Sequence, residues 1–358
     1  MKSFFVFLSI FFFLFSTTSQ CKSTEFSSIS FNPWQAFLNL AGCHMGSNNT
    51  FGLSYLKRYL SNFGYLPHSN EYDDKFDKTF QAAILLYQQN FDLNTTGLLD
   101  RRTIDLMIVP RCGVPDIVNG TTMMHGRRKM YSYFPTKPIW PKHHLTYTFL
   151  PNPDVPIPTT VLQTVFSRSF SRWSEATLLT FAEVKTVDEA DIVLEFLKLD
   201  HGDGEPFDGM LGTLAHAFSP DDGRLHFDAS ELWTAVKDDA ASEELFNSRA
   251  AVDLESVAVH EIGHLLGLGH SSVVNSVMYP SIRTQMRRVY LEADDIDGIQ
   301  SLYGVNLDYN GTYSGTMVQD DHVGDSSSAS KAVNSVIWKN LLIVVVLPLM
   351  FYLTLFKK

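Results

Sequence analysis

The chain has 358 residues and a formal net charge of −11 at pH 7. That length accommodates two modest domains, and the acidic balance excludes a general nucleic-acid-binding surface. Its three cysteines are Cys21, Cys43 and Cys112, so the chain beyond residue 112 contains no disulfide. An exported domain there must rely on packing and bound metal for stability.

At the N-terminus Met1-Lys2 precedes an apolar run from Phe4 to Phe15 and then Ser16-Thr17-Thr18-Ser19. A short basic start, a Phe-rich stretch and small polar residues predict a secretory signal peptide over residues 1–20. The run is too short for a membrane span, and Cys21 lies beside the expected cleavage. Sequons at Asn48, Asn94, Asn119 and Asn310 are glycosylation candidates that fit an exported chain. Residues 33–107 carry apolar positions at helical spacing: Leu53, Leu56 and Leu60, then Phe80, Ala83, Ile84 and Tyr87. After a turn over residues 94–97 come Ile104 and Met107. Gly64-Tyr65-Leu66, Phe80-Gln81-Ala82-Ala83-Ile84 and Thr96-Gly97-Leu98-Leu99-Asp100 resemble a small all-α, peptidoglycan-binding-like three-helix module. A genuine glycan-binding domain is the competing reading.

Pro110-Arg111-Cys112-Gly113-Val114-Pro115-Asp116 follows, and a thiolate is a good zinc ligand. Between Asn119 and Phe134 the cluster Arg127-Arg128-Lys129 offers a cut to a trypsin-like or processing protease. Downstream, strands are expected over 145–150, near 180–184 and over 192–197, with a helix through Phe166, Phe170 and Trp173 between the first two. A loop rich in Gly, Asp and His comes next, then a helix over 253–268 and a last helix over 294–303. Strand and helix alternate early, which predicts a twisted mixed sheet with helices against one face.

The most informative stretch is His260-Glu261-Ile262-Gly263-His264-Leu265-Leu266-Gly267-Leu268-Gly269-His270. On a helix His260 and His264 lie one turn apart on the same face, so both imidazoles reach one ion. Gly267 lets the chain turn sharply and return His270 as a third ligand. Three neutral imidazoles and one open position suit a hydrolytic zinc ion, which acidifies its water and polarises a carbonyl. Glu261 is placed to take the water's proton. Met278, in Ser276-Val277-Met278-Tyr279-Pro280, sits where a tight turn would bring a thioether beneath the imidazoles.

With HExxHxxGxxH ahead of it, that turn resembles the Met-turn of the metzincin peptidases. Because Ser271 follows the third His, the chain resembles a matrixin, a matrix metalloproteinase. The likeness runs from about residue 35 to 305 and is greatest to the plant matrixins, with no downstream hemopexin-like domain. It implies an α+β catalytic domain over residues 134–306, with a twisted mixed five-stranded sheet and three helices. Residues 21–133 become a propeptide, and 110–116 a cysteine switch in which Cys112 holds the fourth zinc position while Arg111 pairs with Asp116. It also implies a structural zinc on His201, Asp203, His216 and His226. Calcium is implied at Asp208, Asp228 and Glu231 with the carbonyls of Gly209, Leu211 and Thr213. The short stretch between His216 and His226 argues against a second calcium site involving Asp191, and Pro280-Ser281-Ile282 departs from the family's Pro-x-Tyr in the S1′ wall. Ser256, one turn before His260, is read as leaving that pocket roomy enough for a Leu-sized side chain.

Residues 307–330 read as a linker and 331–358 as a tail with an apolar run from Leu341 to Phe356, closed by Lys357-Lys358. Small residues over 324–330, a polar spacer and the apolar run match a GPI-attachment signal. The two terminal lysines would equally suit a single span obeying the positive-inside rule. The resulting expectation is a latent zinc endopeptidase at the outer face of the plasma membrane. Its partners would be extracellular proteins or peptides, an activating protease and the membrane, with no nucleic acid. The rival is a catalytically silent surface-binding protein on the same fold.

Overall fold

Helical spacing over residues 33–107 becomes a 3₁₀ helix, Pro33–Leu40, followed by α1 (Leu53–Asn62), α2 (Lys78–Asn90) and α3 (Arg101–Met107). The computed structural model describes residues 33–47, 50–124, 131–235 and 248–309. The signal peptide, Asn48, Asn310, the Arg127-Arg128-Lys129 cluster and the tail lie outside the described residues. Leu53, Leu56, Leu60, Phe80, Ala83, Ile84, Tyr87, Ile104 and Met107 are all buried in one core. Asp77 caps α2 by accepting from the Phe80 N–H at 2.8 Å, and Asp100 caps α3 by accepting from Thr103 at 2.9 Å. Buried Gln88 ties α2 to the turn ahead of α3, donating to Leu98 O and Thr103 Oγ1 and accepting from the Gly97 N–H. Cys43 lies in this core and is disulfide-bonded, whereas Cys112 is a free thiol.

A hairpin joins the module to the rest: β1 (Ile117–Val118) pairs antiparallel with β2 (Thr121–Thr122) across Asn119-Gly120. Both turn residues have positive φ, 51° and 74°, as a two-residue hairpin turn requires. Asn119 is exposed there, and Asn94 is exposed on the module.

The region from residue 144 to 303 is built on a five-stranded sheet of order β4-β3-β5-β7-β6. Its strands are β3 (His144–Leu150), β4 (Thr180–Glu183), β5 (Ile192–Leu197), β6 (Ala215–Ala217) and β7 (Arg224–Asp228). Four run parallel, and β6 lies antiparallel at one edge. Alternation on β5 buries Ile192, Leu194 and Phe196. Above this face lies α4 (Thr159–Ala176), whose Phe166 and Phe170 meet Phe149 and Tyr147 at centroid distances of 5.2 and 4.1 Å. A short parallel pair, β8 (Trp233–Thr234) with β9 (Val252–Asp253), leads into α5 (Leu254–Leu265), and α6 (Ala293–Tyr303) packs on α4. The expected mixed sheet and three helices are therefore present. Among the described residues no helix is long and apolar enough to cross a membrane.

In the region read as a loop rich in Gly, Asp and His, β6 lies within the edge strand that the resemblance implies over residues 212–217, and β7 is a further strand. Strand β7 presents only Leu225 and Phe227 to the apolar core, too few positions for an alternation to stand out.

Gly263 on α5 is where the helix meets the Met278 turn. A Cβ there would lie 2.3 Å from Met278 Sδ and 2.9 Å from Trp173 Cζ2, and Trp173 is itself held by its indole N–H on Val259 O at 2.9 Å. Gly263→Ala should therefore cost about 1–3 kcal/mol by overpacking. Denaturant unfolding checks this, and an unchanged midpoint would show that the contact is soft.

Candidate active site

The N-terminus of α5 is set by Asp253, whose carboxylate accepts from the Ser256 N–H at 3.0 Å and the Ser256 hydroxyl at 2.5 Å. From that start the helical repeat brings His260 and His264 to ring centroids 4.8 Å apart. Past the helix Gly267, at φ +99°, turns the chain where a Cβ would meet Pro138 O at 2.4 Å. His270 returns to 5.4 Å from His260 and 4.8 Å from His264, centroid to centroid. Ser132 steadies this return: its hydroxyl donates to His270 O at 2.8 Å and its carbonyl accepts from the Gly269 N–H.

The tautomers follow from the partners. His260 Nδ1 lies 2.7 Å from Val277 O and His264 Nδ1 2.8 Å from Leu268 O. A carbonyl can only accept, so both Nδ1 atoms carry the proton and both Nε2 atoms carry lone pairs. These Nε2 atoms are 3.1 Å apart. His270 Nδ1 meets Asp116 Oδ1 at 2.8 Å, and its Nε2 is buried with no hydrogen-bond partner. Burial pulls the His260 and His264 pKa values well below the ordinary histidine range and lowers that of His270 too. Cys112 Sγ completes the group, 3.4 Å from His264 Nε2, and all four ligand atoms lie within 4.8 Å of one another. Lone pairs facing each other in a dry space repel unless a cation lies between them. The donor set therefore fits zinc.

Glu261 is fully buried and neither carboxylate oxygen has a partner. Burial raises its pKa to about 8, with the Cys112 thiol as neighbour. Met278 is buried against α5, and its turn is clamped by Asp295, which accepts from the Val277 and Met278 N–H groups.

Residues 110–116 thread between the β6 edge and residues 280–282. On one side the Arg111 N–H donates to Gly212 O, Leu214 N–H to Arg111 O, and Gly113 N–H to Ala215 O, at 3.0, 2.9 and 2.8 Å. On the other, Cys112 N–H donates to Pro280 O and Ile282 N–H to Pro110 O. The Arg111 guanidinium pairs with Asp116 at 3.0 and 2.7 Å and lies 3.6 Å over the Phe63 ring. Tyr65 donates its hydroxyl to the same carboxylate at 2.8 Å. Burial opposes the charge on Asp116, but Arg111 and His270 together hold its carboxyl well below the usual range.

A second group forms where His216 on β6 faces His226 on β7 in register. Asp203 Oδ2 lies 2.8 Å from His201 Nε2, His216 Nε2 and His226 Nδ1. Burial lowers the His216 pKa to about 4 and that of His226 as well. One carboxylate and three imidazoles in this arrangement fit a closed tetrahedral zinc site.

The matrixin family model matches residues 139–304, and the peptidoglycan binding domain model matches residues 52–107. The chain is 50% identical over 299 residues to metalloendoproteinase 2-MMP of Arabidopsis thaliana, covering 78% of each. Against metalloendoproteinase 1 of Glycine max it is 45% identical over 267 residues, covering 74% of this chain and 85% of that one. Stromelysin-1 of Rattus norvegicus is 37% identical over 266 residues, covering 72% of this chain and 51% of the relative. The chain belongs to the matrixin family. It is thus a zinc metalloendopeptidase, and zinc and calcium are the metals this family uses.

In this matrixin the end of β7 and the turn after it also carry buried carboxylates. Asp228 Oδ2 and Glu231 Oε2 are buried without partners, and burial raises the Glu231 pKa to about 9. Asp208 lies close enough to add to their mutual repulsion. Gly209 and Leu211 have positive φ, 88° and 61°, which folds the backbone around the group; the Leu211 N–H donates to Glu231 and the Thr213 N–H to Asp208. Three like charges with oxygens unspent fit a calcium ion. The Asp191 carboxylate is instead engaged by Lys142 at 2.6 Å and by Thr146.

Arg288 is the site residue that sequence reasoning missed. The pocket beside α5 is lined by Leu214, Val257, Tyr279, Ile282 and Arg288, with Cys112 and Glu261 at its catalytic end. At the Ser256 end, the Arg288 N–H donates to Ser256 Oγ at 2.7 Å, and its guanidinium donates to the Ser276, Tyr279 and Ser281 carbonyls. Arg288 thus borders the pocket beside Ser256, contributed by a stretch with no periodicity or motif to single it out. The neighbouring Arg287 fixes that stretch to buried Glu255 at 2.8 Å.

Calcium should stabilise the catalytic region by relieving this repulsion. At a free concentration 100 times its Kd the gain is about 2.7 kcal/mol, visible as a rise in unfolding midpoint that Glu231→Gln diminishes. A midpoint indifferent to calcium would rule out this site.

Proposed function

We propose that this matrixin is made as a secreted, latent endopeptidase whose propeptide occupies its own substrate cleft. The single observation that carries the reading is Cys112 Sγ seated among His260, His264 and His270 beside Glu261. His260, His264 and His270 would hold the catalytic zinc, with Cys112 as fourth ligand in the latent form. His201, Asp203, His216 and His226 would hold the structural zinc. Calcium would sit on Asp208, Asp228 and Glu231 with the carbonyls of Gly209, Leu211 and Thr213. When bound, the catalytic zinc supplies a Lewis acid that acidifies water and polarises the scissile carbonyl.

This chain's own groups do the rest. Substrate adds as an extended strand along the β6 edge, using the backbone groups of residues 212–215 that the switch segment now occupies. Glu261 takes the proton of the attacking water on its carboxylate and passes it to the leaving amine. The Ala215 carbonyl, which accepts from Gly113 in the latent form, is then free to accept from that amine. Proteolysis between residues 119 and 134, with Arg127-Arg128-Lys129 as the recognisable target, would release residues 21–133 and leave a catalytic domain over 134–306. The tail supports attachment at the outer face of the plasma membrane, through a GPI anchor or a single span. Extracellular proteins and peptides would be the substrates.

Glu261→Ala should lower turnover at least about 100-fold while the domain keeps its zinc, read on a peptide library with and without chelator; near wild-type cleavage would remove Glu261 from the base role. Cys112→Ser should give a full-length chain that cleaves peptides without prior processing, and a fully latent Cys112→Ser chain would refute the switch. Arg288→Ala should open the pocket and extend tolerance after the scissile bond to longer side chains. Matching cleavage profiles for wild type and variant would exclude Arg288 as a wall that limits the pocket.

A further inference from the structure

Two of the three clustered imidazoles are oriented from within the catalytic region, through Val277 O and Leu268 O. The third is oriented from the propeptide. His270 Nδ1 lies 2.8 Å from Asp116 Oδ1, both side chains being fully buried. Among the described residues no acceptor of the catalytic region reaches that nitrogen. Asp116 is in turn fixed by Arg111, bidentate at 3.0 and 2.7 Å, and by the Tyr65 hydroxyl at 2.8 Å. Since an ionised carboxylate only accepts, His270 Nδ1 carries the proton and Nε2 presents its lone pair toward His260 and His264.

We propose that Asp116 is a positioning residue for His270, so that the propeptide orients a ligand of the catalytic zinc as well as supplying the Cys112 sulfur. This rests on the zinc reading above. A carboxylate behind a ligating imidazole fixes its tautomer and ring orientation and increases its basicity, and losing such a partner typically weakens metal affinity by about 10–100-fold. The latent form accordingly holds zinc through His270 more firmly than the mature enzyme does, even without the thiol. Cleavage removes both contributions together, because Cys112 and Asp116 belong to the same segment.

The test compares the full chain carrying Cys112→Ser with Cys112→Ser/Asp116→Asn, by zinc transfer to a chelator of known affinity. The ion lost in a His264→Ala control identifies this site against the second zinc. The expected result is a fall of about 10–100-fold in zinc affinity on adding Asp116→Asn; equal affinities overturn the proposal. A purely structural role is separated by a thiol reagent on zinc-loaded chains that keep Cys112. Slow labelling of both wild type and Asp116→Asn, together with easier zinc loss from the variant, supports positioning. Faster labelling that rises in step with zinc loss means the segment has undocked, and the proposal falls. Should Asp116→Asn not fold, the Cys112→Ser chain is measured before and after proteolytic removal of the propeptide, and an unchanged affinity again overturns it. If none of these chains holds an ion that His264→Ala removes, the zinc reading itself fails and takes this inference with it.

Discussion

Three imidazole nitrogens and one sulfur share a buried space, and much of the surrounding structure serves to keep them there. His260 and His264 are locked as Nδ1–H tautomers by backbone carbonyls, so their lone pairs face each other at 3.1 Å. Without a cation that arrangement would be costly, because neither nitrogen has a donor to meet. The same logic governs the second His cluster and the carboxylates beyond β7, where Asp228 and Glu231 keep buried oxygens unspent. No cysteine lies beyond residue 112, so a metal's charge in these clusters would take the place that disulfides hold in many exported domains.

The packing that supports the catalytic cluster comes from separate parts of the chain. Helix α5 supplies two imidazoles, and it can approach Met278 and Trp173 only because residue 263 has no side chain. Asp295, from α6, clamps the turn around Met278. The sheet contributes its β6 edge, whose unpaired backbone groups would otherwise invite strand addition. Residues 110–116 cover that edge and residues 280–282 at once, with the Cys112 sulfur at the ligand cluster.

Backbone pairing docks residues 110–116 in the cleft, and that docking delivers the thiol to the ligand cluster. Arg111 is almost fully buried, paired with Asp116 and stacked on Phe63 of the helical module. Tyr65 of the same module reaches that carboxylate. The module consequently holds the loop by its aromatic residues, which gives a peptidoglycan-binding-like fold a role in docking that needs no glycan.

The local features were legible because they depend on neighbours in the chain. Helical spacing identified the buried faces of α1, α2 and α3, and the i, i+4 histidines with a glycine and a third histidine marked the ligand set. Even the boundaries of β5 could be read from its alternation. Strand β7 could not, since only Leu225 and Phe227 face the core and its His226 reads as a loop residue until it is paired with His216. Nor could Arg288, which enters the pocket through carbonyls of residues 276, 279 and 281, or the contact of Asp116 with His270 across 154 positions of sequence separation. Periodicity and spacing record which side of an element a residue occupies. Which distant group meets it there is decided only when the elements pack, because that choice depends on distances the linear chain does not contain.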